Sequence, residues 1–310
     1  MKVSIVTPSY QQTPYLEQTI RSVLAQGYAP LEYFVMDGGS NDGSLAIIQQ
    51  YAGQLTGWVS EKDQGQADAI NKGLKQTSGE IVAWLNSDDY YLPGAISRAV
   101  EVFQQHPEAG LVYGDVLSVD ARSQPFNLQR FKPYDIHDLM SFHIISQPAV
   151  FMRRAVLEQA GLLDESYHLL LDHQLWLRMA RLAAMVYLPE TLAAARYHAE
   201  AKNLARTAEF GREAYRLVEW MQSDPAFRDD FKRHEKHIRG GASRLDAFYL
   251  LEGGNYAAAL KAYAKAFSNT PPVVLREAHR VLFAMLGLLG LGRLRALYMA
   301  LRGKILDFRN

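Results

Sequence analysis

Short apolar runs alternate with helically spaced apolar stripes in the first half of the chain. The runs are typical of buried strands and lie at about residues 3–7, 31–36, 58–59 and 80–85. The stripes predict amphipathic helices over about residues 14–24, 44–52, 66–77 and 93–105. Repeated strand–helix units form a largely parallel sheet with helices on its faces, and ligands of such sheets bind at the carboxyl ends of the strands.

The pattern becomes mixed beyond about residue 110. Further strands are expected at about residues 111–116 and 149–152, and residues 169–184 have helical spacing. Beyond residue 205 we find helical patterns and no convincing strand. The chain is therefore predicted to contain an α/β domain over residues 1–205, followed by an all-helical region over residues 206–310.

The helical region contains two segments of special composition. Residues 242–271 resemble one tetratricopeptide-type unit, which cannot bury both of its faces alone and is expected to form a hairpin packed on its neighbours. Residues 281–291 form an uncharged run of 11 residues, too short to span a bilayer. A basic amphipathic segment is predicted over about residues 280–306, where it can lie on an anionic membrane surface, pack as a core helix or form a homo-oligomer.

Charge and composition narrow the choice of function. The net charge is zero, but residues 1–205 carry 15 Lys and Arg against 22 Asp and Glu, and residues 206–310 carry 18 against 11. The absence of cysteine excludes disulfides, thiolate zinc sites and cysteine nucleophiles. The chain enters a strand at once without a signal-like leader, so we expect a cytoplasmic protein. We expect no nucleic-acid partner. The protein can lie on the inner face of the cell membrane.

Two carboxylates follow the apolar run at residues 80–85. Asp88 and Asp89 stand at the end of a predicted core strand, where charge is costly unless something positive lies against it. Oxygen ligands suit Mg²⁺ or Mn²⁺, and an ion held there is well placed to bridge a diphosphate. The alternative is that the pair caps the helix that begins near Pro93.

Several motifs in order resemble the family 2 glycosyltransferases, whose catalytic domain has the GT-A fold, a Rossmann-like, mostly parallel mixed sheet flanked by helices. The motifs are residues 6–10, 37–43, 63–73, 86–89 and 172–178. Each is weak alone, but the ordered set covers about residues 1–205. The resemblance implies an inverting enzyme that uses a nucleotide-sugar donor.

The resemblance also assigns the donor residues. Thr7, Pro8, Ser9 and Tyr10 would offer backbone groups to the base, and Asp37 would accept a hydrogen bond from a base N–H such as that of uracil, which favours a UDP-sugar. Asp63, Gln66 and Asp68 would line the ribose and the donor sugar. The alternatives are that Asp37 forms a turn and that Asp63 caps a helix.

Metal binding and catalysis are assigned in the same way. Asp88 and Asp89 match the Asp-x-Asp position, with Asp89 the stronger metal ligand and Asp88 on the donor side. Asp172 matches the base that deprotonates the acceptor hydroxyl in a single displacement, although it too could cap a helix. Relatives often carry a second acid two residues later, where this chain has Gln174.

Three further residues fit the resemblance. Gln147 would bind an acceptor hydroxyl, His198 would bind the metal or a phosphate, and Lys202 would pair with a phosphate. A saccharide or lipid-linked acceptor in cell-surface polysaccharide or glycolipid synthesis is expected. A nucleotidyltransferase would need a Gly-rich basic loop that residues 7–12 lack, and a non-catalytic scaffold would have lost a carboxylate.

Overall fold

The computed structural model describes residues 1–292 and divides into two compact units. The first comprises Met1–Asp135 and Ile145–Arg196, and the second comprises Ile136–Ile144 and the chain from Tyr197 onward. The division after Arg196 lies nine residues before the predicted boundary at residue 205, and the short segment Ile136–Ile144 joins the second unit.

The first unit is built on a sheet with helices. Its strands within the described residues are β1 (Val3–Ser9), β2 (Leu31–Asp37), β3 (Gly57–Ser60), β4 (Ile81–Trp84), β5 (Tyr90–Tyr91), β6 (Ala109–Asp120), β7 (Pro125–Gln129), β8 (Val150–Arg153) and β9 (Ala184–Tyr197). Its helices there are α1 (Thr13–Leu24), α2 (Ser44–Tyr51), α3 (Gln66–Gln76), α4 (Ala95–Gln105), α6 (Arg154–Ala160) and α7 (Leu171–Ala180).

The sheet is mixed, which confirms the predicted fold class. Its strand order is β3-β2-β1-β4-β8-β6-β9-β5, and β7 pairs with β6. Strands β3, β2, β1 and β4 are mutually parallel, whereas β8 runs antiparallel to both β4 and β6. Three strands were not predicted, namely β5, β7 and β9.

The parallel strands end at a common edge of the sheet. Asp37 lies opposite Ser9 on one side and Ser60 on the other, and Trp84 pairs with Val6. The loops that follow β1, β2, β3 and β4 therefore leave the sheet side by side. Helix α3 packs closely on this part of the sheet, since a Cβ at Gly73 would lie 2.4 Å from Val6 Cγ1.

Glu32, near the start of β2, stabilises the opposite, amino-terminal edge of the sheet. Glu32 pairs with Lys2 Nζ at 2.5 Å and accepts hydrogen bonds from Ser4 Oγ at 2.6 Å and from the Ser78 backbone N–H at 2.7 Å. These bonds outweigh the opposing effect of burial and lower the pKa of Glu32 to about 2. Glu32 of β2 thus connects β1 to the loop before β4.

The second unit is helical in the residues that the structure describes. Its helices there are α5 (Ile136–Met140), α8 (Lys202–Ala205), α9 (Thr207–Ser223), α10 (Arg228–Glu252), α11 (Tyr256–Asn269), α12 (Pro271–Arg276) and α13 (Ala278–Leu288). Gly253 and Gly254 separate α10 from α11, and Gly254 has a φ of +74°, which favours glycine. Buried side chains of α10 and α11, including Leu251 and Tyr263, pack with Val274 and Ala284.

Helix α13 exposes an apolar face. Leu282, Met285 and Leu288 follow helical spacing on this face and are 53%, 51% and 54% exposed. Within residues 1–292, every helix is too short or too polar to cross a membrane. The predicted basic segment over about residues 280–306 lies partly outside the described residues.

Candidate functional site

Asp37 ends β2 at the carboxyl edge of the sheet and is 3% exposed. Its Oδ2 accepts hydrogen bonds from the Ser40 backbone N–H at 2.9 Å and from Ser60 Oγ at 2.7 Å, and its Oδ1 accepts one from Ser40 Oγ at 2.6 Å. The carboxylate therefore organises the glycine-rich loop that follows β2, which is the turn role considered from the sequence. Its contact with a base stays a prediction.

Asp63 lies against that same loop. A Cβ at Gly38 would meet Asp63 Oδ2 at 2.6 Å, so only a residue without a side chain lets the carboxylate approach this closely. The other oxygen, Oδ1, accepts from the Gly65 backbone N–H at 2.8 Å. Helix α3 begins after Gly65 without a side-chain cap, so Asp63 braces the turn that leads into the helix.

Asp68 is held in the first turn of α3. It accepts the Gln64 backbone N–H at 2.9 Å and pairs with Lys72 Nζ at 3.1 Å, while Lys72 also approaches Glu61 at 3.4 Å. The backbone bond from Gln64 and the pairing with Lys72 lower the pKa of Asp68. A small cleft beside these residues is lined by Met36, Asp37, Val59, Glu61, Asp63, Ala69 and Lys72.

Residues 7–10 end β1 at the same edge. Thr7 Oγ1 is hydrogen-bonded to Tyr33 Oη at 3.0 Å, and Thr7, Pro8 and Ser9 are buried. Tyr10 is different, because its side chain is 60% exposed. The segment therefore presents backbone and one aromatic ring at the edge, and its role in base binding stays a prediction.

Asp88 and Asp89 occupy the loop after β4. They do not cap the following helix, because α4 begins after Gly94 without a side-chain cap. Asp89 is 6% exposed, and its Oδ1 accepts the Arg196 backbone N–H at 2.9 Å. Its carbonyl oxygen accepts from Thr19 Oγ1 at 2.6 Å. The capping alternative is therefore wrong for this pair, and Asp89 is instead enclosed by α1 and β9.

Burial and like charge disfavour ionisation of Asp89. Burial is the larger cause and the neighbouring Asp88 carboxylate the second, and together they raise the pKa of Asp89 well above its usual value, although the bond from the Arg196 backbone and the Arg196 charge act in the opposite direction. Among residues 1–292, no three His, Asp or Glu side chains are arranged to hold a metal by themselves. Two carboxylates fit an ion such as Mg²⁺, which commonly takes one or two carboxylates and completes its shell with substrate phosphates.

A short chain of hydrogen bonds links α3 to this pair. Gln66 Nε2 donates to Asn86 Oδ1 at 2.7 Å, and Asn86 Nδ2 lies 3.4 Å from Asp89 Oδ2. Gln66, predicted to line the donor, thus also orients the Asp89 carboxylate through Asn86. Sequence reasoning gave Asn86 no role of its own, although an amide directly before an acidic pair is a usable signal.

Asp172 lies in the first turn of α7, which begins after Leu170. It is therefore not the capping residue of this helix. Acidic side chains are favoured in the first turn of a helix, near the positive end of its dipole. Asp172 is partly exposed, and its Oδ1 accepts the His173 backbone N–H at 2.7 Å. Its catalytic role stays a prediction.

Gln174 has a structural partner. It is 4% exposed, and its Oε1 accepts from Arg178 Nε at 3.0 Å. The Arg178 guanidinium also donates to the carbonyls of Ala160 at 2.5 Å and Leu162 at 2.8 Å, and burial lowers its pKa. At the position where the resemblance implied a second acid, this chain thus has a neutral amide that holds an arginine in place.

Gln147 contacts the end of β4. Its Nε2 donates to the Trp84 carbonyl at 2.8 Å, and its buried Oε1 has no hydrogen-bond partner among the described residues. His198 and Lys202 belong to the second unit, where His198 is 8% exposed and Lys202 begins α8. The structure thus brings the donor and metal candidates of the first unit to one edge, and the roles of Gln147, His198 and Lys202 stay predictions.

Curated relatives match 64% of the chain. An uncharacterized glycosyltransferase of Rickettsia prowazekii is 27% identical over 205 residues, covering 64% of this chain and 64% of that protein. One of Rickettsia conorii is 26% identical over 209 residues, covering 64% of this chain and 34% of that protein. The chain therefore spans less than two thirds of the length of these relatives.

Solved structures show the same fold. S. aureus TarS in complex with UDP-GlcNAc superposes with a TM-score of 0.60 at 17% identity, over 87% of this chain and 89% of that one. The mannosyltransferase PcManGT from Pyrobaculum calidifontis, in complex with GDP-Man and Mn²⁺, gives a TM-score of 0.60 at 21% identity, over 98% and 86%. The family described as "Glycosyl transferase family 2" matches residues 4–161, which is half of the chain. With the GT-A-type fold and the acidic loops at its strand ends, the chain belongs to glycosyl transferase family 2.

Proposed function

We propose that the protein transfers a sugar from a nucleoside-diphosphate donor to an acceptor hydroxyl. The observation that carries this proposal is the placement of Asp37, Asp63 and the Asp88–Asp89 pair in loops that leave adjacent parallel strands at one edge of the sheet. Open α/β sheets bind nucleotides at this edge. Membership of the family supports the same reaction class.

The donor is a UDP-sugar held with Mg²⁺ or Mn²⁺. The neighbour TarS is in complex with UDP-GlcNAc, and PcManGT with GDP-Man and Mn²⁺, which supports a nucleoside diphosphate and a divalent ion. Asp89, with Asp88 beside it on the donor side, would hold the ion, whose positive charge would stabilise the departing diphosphate. Asp63, Gln66 and Asp68 would contact the ribose and sugar, and residues 7–10 and Asp37 the base side.

Asp172 is the base of a single displacement. The acceptor oxygen forms a bond to the anomeric carbon while the bond from that carbon to the diphosphate oxygen breaks. The acceptor's proton goes to the Asp172 carboxylate, and the electron pair of the broken bond leaves with the nucleoside diphosphate. Attack from the face opposite the leaving group inverts the anomeric configuration.

The acceptor is a saccharide or a lipid-linked saccharide in cell-surface polysaccharide or glycolipid assembly. Gln147 Oε1 is a buried acceptor atom without a partner among the described residues, and an approaching hydroxyl group would satisfy it. His198 and Lys202 would contact the metal or a phosphate, as the resemblance implies.

The basic segment over about residues 280–306 binds the cytoplasmic surface of an anionic membrane. The exposed face of α13 is apolar, and residues 293–310 carry five Lys and Arg against one Asp. Apolar side chains that enter the interface and cations that meet anionic headgroups act together in such binding. A cytoplasmic enzyme held there would reach a lipid-linked acceptor.

A panel of nucleotide-sugars tests the reaction. UDP- and GDP-sugars are titrated with and without Mn²⁺, and thermal shift and release of the nucleoside diphosphate are measured. We expect saturable, Mn²⁺-dependent stabilisation by one donor and slow hydrolysis of it without an acceptor. If no nucleotide-sugar binds with or without metal, the proposal is wrong.

A further inference from the structure

We propose that Arg196 is the positioning residue for the Asp88–Asp89 pair, an inference that rests on the proposed metal-dependent function. Arg196 is the last residue of the first unit and is 3% exposed, although it carries a full positive charge. A buried charge persists only where hydrogen bonds and compensating charge surround it. The contacts of Arg196 show what this cation is used for.

The guanidinium joins three separate segments of the first unit. Its Nε donates to the Asp88 carbonyl at 2.9 Å, and its Nη2 donates to Gln18 Oε1 of α1 at 2.7 Å. Its Nη1 donates to the turn between β6 and β7, at the Asp120 carbonyl (3.2 Å), the Ala121 carbonyl (3.3 Å) and Ser123 Oγ (3.0 Å). The planar fork of arginine suits such divergent bonding, which a lysine cannot reproduce.

Two aromatic rings lie close to the guanidinium. Its central carbon lies 4.7 Å from the Tyr15 ring centroid and 5.6 Å from that of Tyr90. Both distances are within the range of cation–π attraction. Tyr90 directly follows Asp89 and pairs with Ala194 of β9, so the ring contact holds the residue that follows the acidic pair.

The contacts of the Arg196 side chain also position its backbone N–H, which bonds the proposed metal ligand Asp89. The Arg196 backbone N–H donates to Asp89 Oδ1 at 2.9 Å, while the side chain holds the Asp88 carbonyl. One residue thus fixes the main chain of Asp88 and one carboxylate oxygen of Asp89. Groups that orient metal ligands in this way commonly change metal affinity by about 10- to 100-fold when they are removed.

Arg153 provides a matched control. Its Nε donates to the Ala109 carbonyl at 2.8 Å, and its guanidinium lies 5.1 Å from the Phe103 ring centroid. Arg153 therefore makes the same kinds of contact as Arg196, a bond to a carbonyl and a contact with an aromatic ring. It is the last residue of β8 and pairs with Ile81 at the start of β4. Loss of Arg153 should lower stability without acting on the acidic loop.

The test measures Mn²⁺ affinity by the loss of the free Mn²⁺ signal in electron paramagnetic resonance, with Mn²⁺ alone and with Mn²⁺ plus uridine diphosphate. The wild-type protein is compared with Arg196→Met, Arg196→Lys, Gln18→Ala and Arg153→Met, and melting temperatures are recorded for all. We expect Mn²⁺ affinity to fall at least about tenfold in Arg196→Met, less in Arg196→Lys and about two- to threefold in Gln18→Ala, which removes one exposed anchor.

Arg153→Met should keep the wild-type Mn²⁺ affinity at a comparable loss of melting temperature. If Arg196→Met does not fold, Arg196→Lys and Gln18→Ala decide the question. If the Arg196 and Gln18 variants bind Mn²⁺ as tightly as Arg153→Met does, Arg196 does not position the acidic pair. If Asp89→Asn nevertheless loses Mn²⁺ binding, the metal-dependent function stands and only the role of Arg196 is overturned. If the wild-type protein binds no Mn²⁺ under either condition, the metal-dependent function and the role of Arg196 are both wrong.

Discussion

The Trp84 and Trp176 rings stack on each other, with centroids 5.2 Å apart and planes 23° from parallel. Both side chains are fully buried. Trp84 ends β4 just before the acidic loop, and Trp176 lies one helical turn after Asp172 on α7. The stack therefore connects the helix that carries the proposed base to the strand that leads into the loop with the proposed metal ligands.

Removing the proposed base should stop transfer and spare donor binding. In Asp172→Asn the shape is kept but no carboxylate accepts the acceptor's proton, so we expect kcat to fall by about 10²–10⁴-fold. The donor dissociation constant should stay within about twofold. Steady-state kinetics and donor titration check this, with Glu158→Gln, an exposed carboxylate, as control. Near-normal turnover in Asp172→Asn would show that another group is the base.

Neutralising Asp89 should stabilise the metal-free protein while removing metal-dependent activity. Because the pKa of Asp89 is raised, the stability that its protonated form contributes is lost as pH rises through that raised pKa. Asp89→Asn avoids this loss, so we expect its melting temperature in chelator to exceed that of the wild type by about 2–4 °C at neutral pH. The difference should shrink in acid.

The metal requirement is measured in the same series. Chelation should abolish wild-type transfer and Mn²⁺ should restore it, whereas Mn²⁺ should restore little in Asp89→Asn. Full wild-type activity in chelator would refute the metal role, and a lower melting temperature of Asp89→Asn at neutral pH would refute the charge argument.

A methyl group at position 38 should act on Asp63. The Cβ of Gly38→Ala would meet Asp63 Oδ2 at 2.6 Å, and the flexible carboxylate can move away without unfolding the loop. If Asp63 binds the donor, KM for the donor should rise by about tenfold or more, the cost of a hydrogen bond to a charged group. Gly53→Ala is the control, since a Cβ there meets nothing within 4 Å. Equal KM values in the two variants would remove Asp63 from the donor site.

Acid should weaken the fold through Glu32. Its pKa is about 2 in the folded protein and about 4.3 when unfolded, so its stabilisation is present above the unfolded value and is lost as pH falls from about 5 to about 2. We expect about 1 kcal/mol, because solvent at this edge screens the pair with Lys2. Urea unfolding of Glu32→Gln should show a shallower loss between these pH values. A slope equal to that of wild type would contradict the assignment.

Membrane binding should depend on the outer face of α13. We expect Leu282→Gln combined with Met285→Gln to reduce sedimentation with phosphatidylglycerol vesicles by about tenfold, and the wild type to bind phosphatidylcholine vesicles weakly. Phe267→Gln, at an exposed site on α11, is the control. These substitutions are preferable to truncation near residue 270, because Val274 and Ala284 are buried in the helical core. Unchanged sedimentation would exclude this face.

The elements of the parallel half could be predicted because each has a local signal. Apolar runs and stripes located β1–β4 and α1–α4 to within a few residues, and the strand-end rule placed the acidic loops at one edge. Strand β5 was missed since it is only Tyr90–Tyr91, too short to form an apolar run of its own, and is recognisable only by its pairing with Ala193–Ala194. Strand β9 was missed because Pro189 and Glu190 interrupt its apolar residues.

The site was predictable in its carboxylates and not in what holds them. Asp88 and Asp89 stand out as charges after a core strand, but Arg196 is bonded largely to backbone carbonyls, which every residue possesses. Asp37 illustrates the converse. Its carboxylate bonds Ser40 three residues on and Ser60 on the adjacent strand, and only the second of these needed the fold to be known.

Strand β2 carries Glu32 near its first residue and Asp37 as its last. The carboxylate at one end secures the sheet, and the carboxylate at the other end shapes the loop at the proposed donor site. The two carboxylates are separated by the length of the strand, so amino-acid substitutions in the loop need not disturb the contacts of Glu32. New donor preferences can therefore arise by drift in the loops while the scaffold keeps its resistance to unfolding.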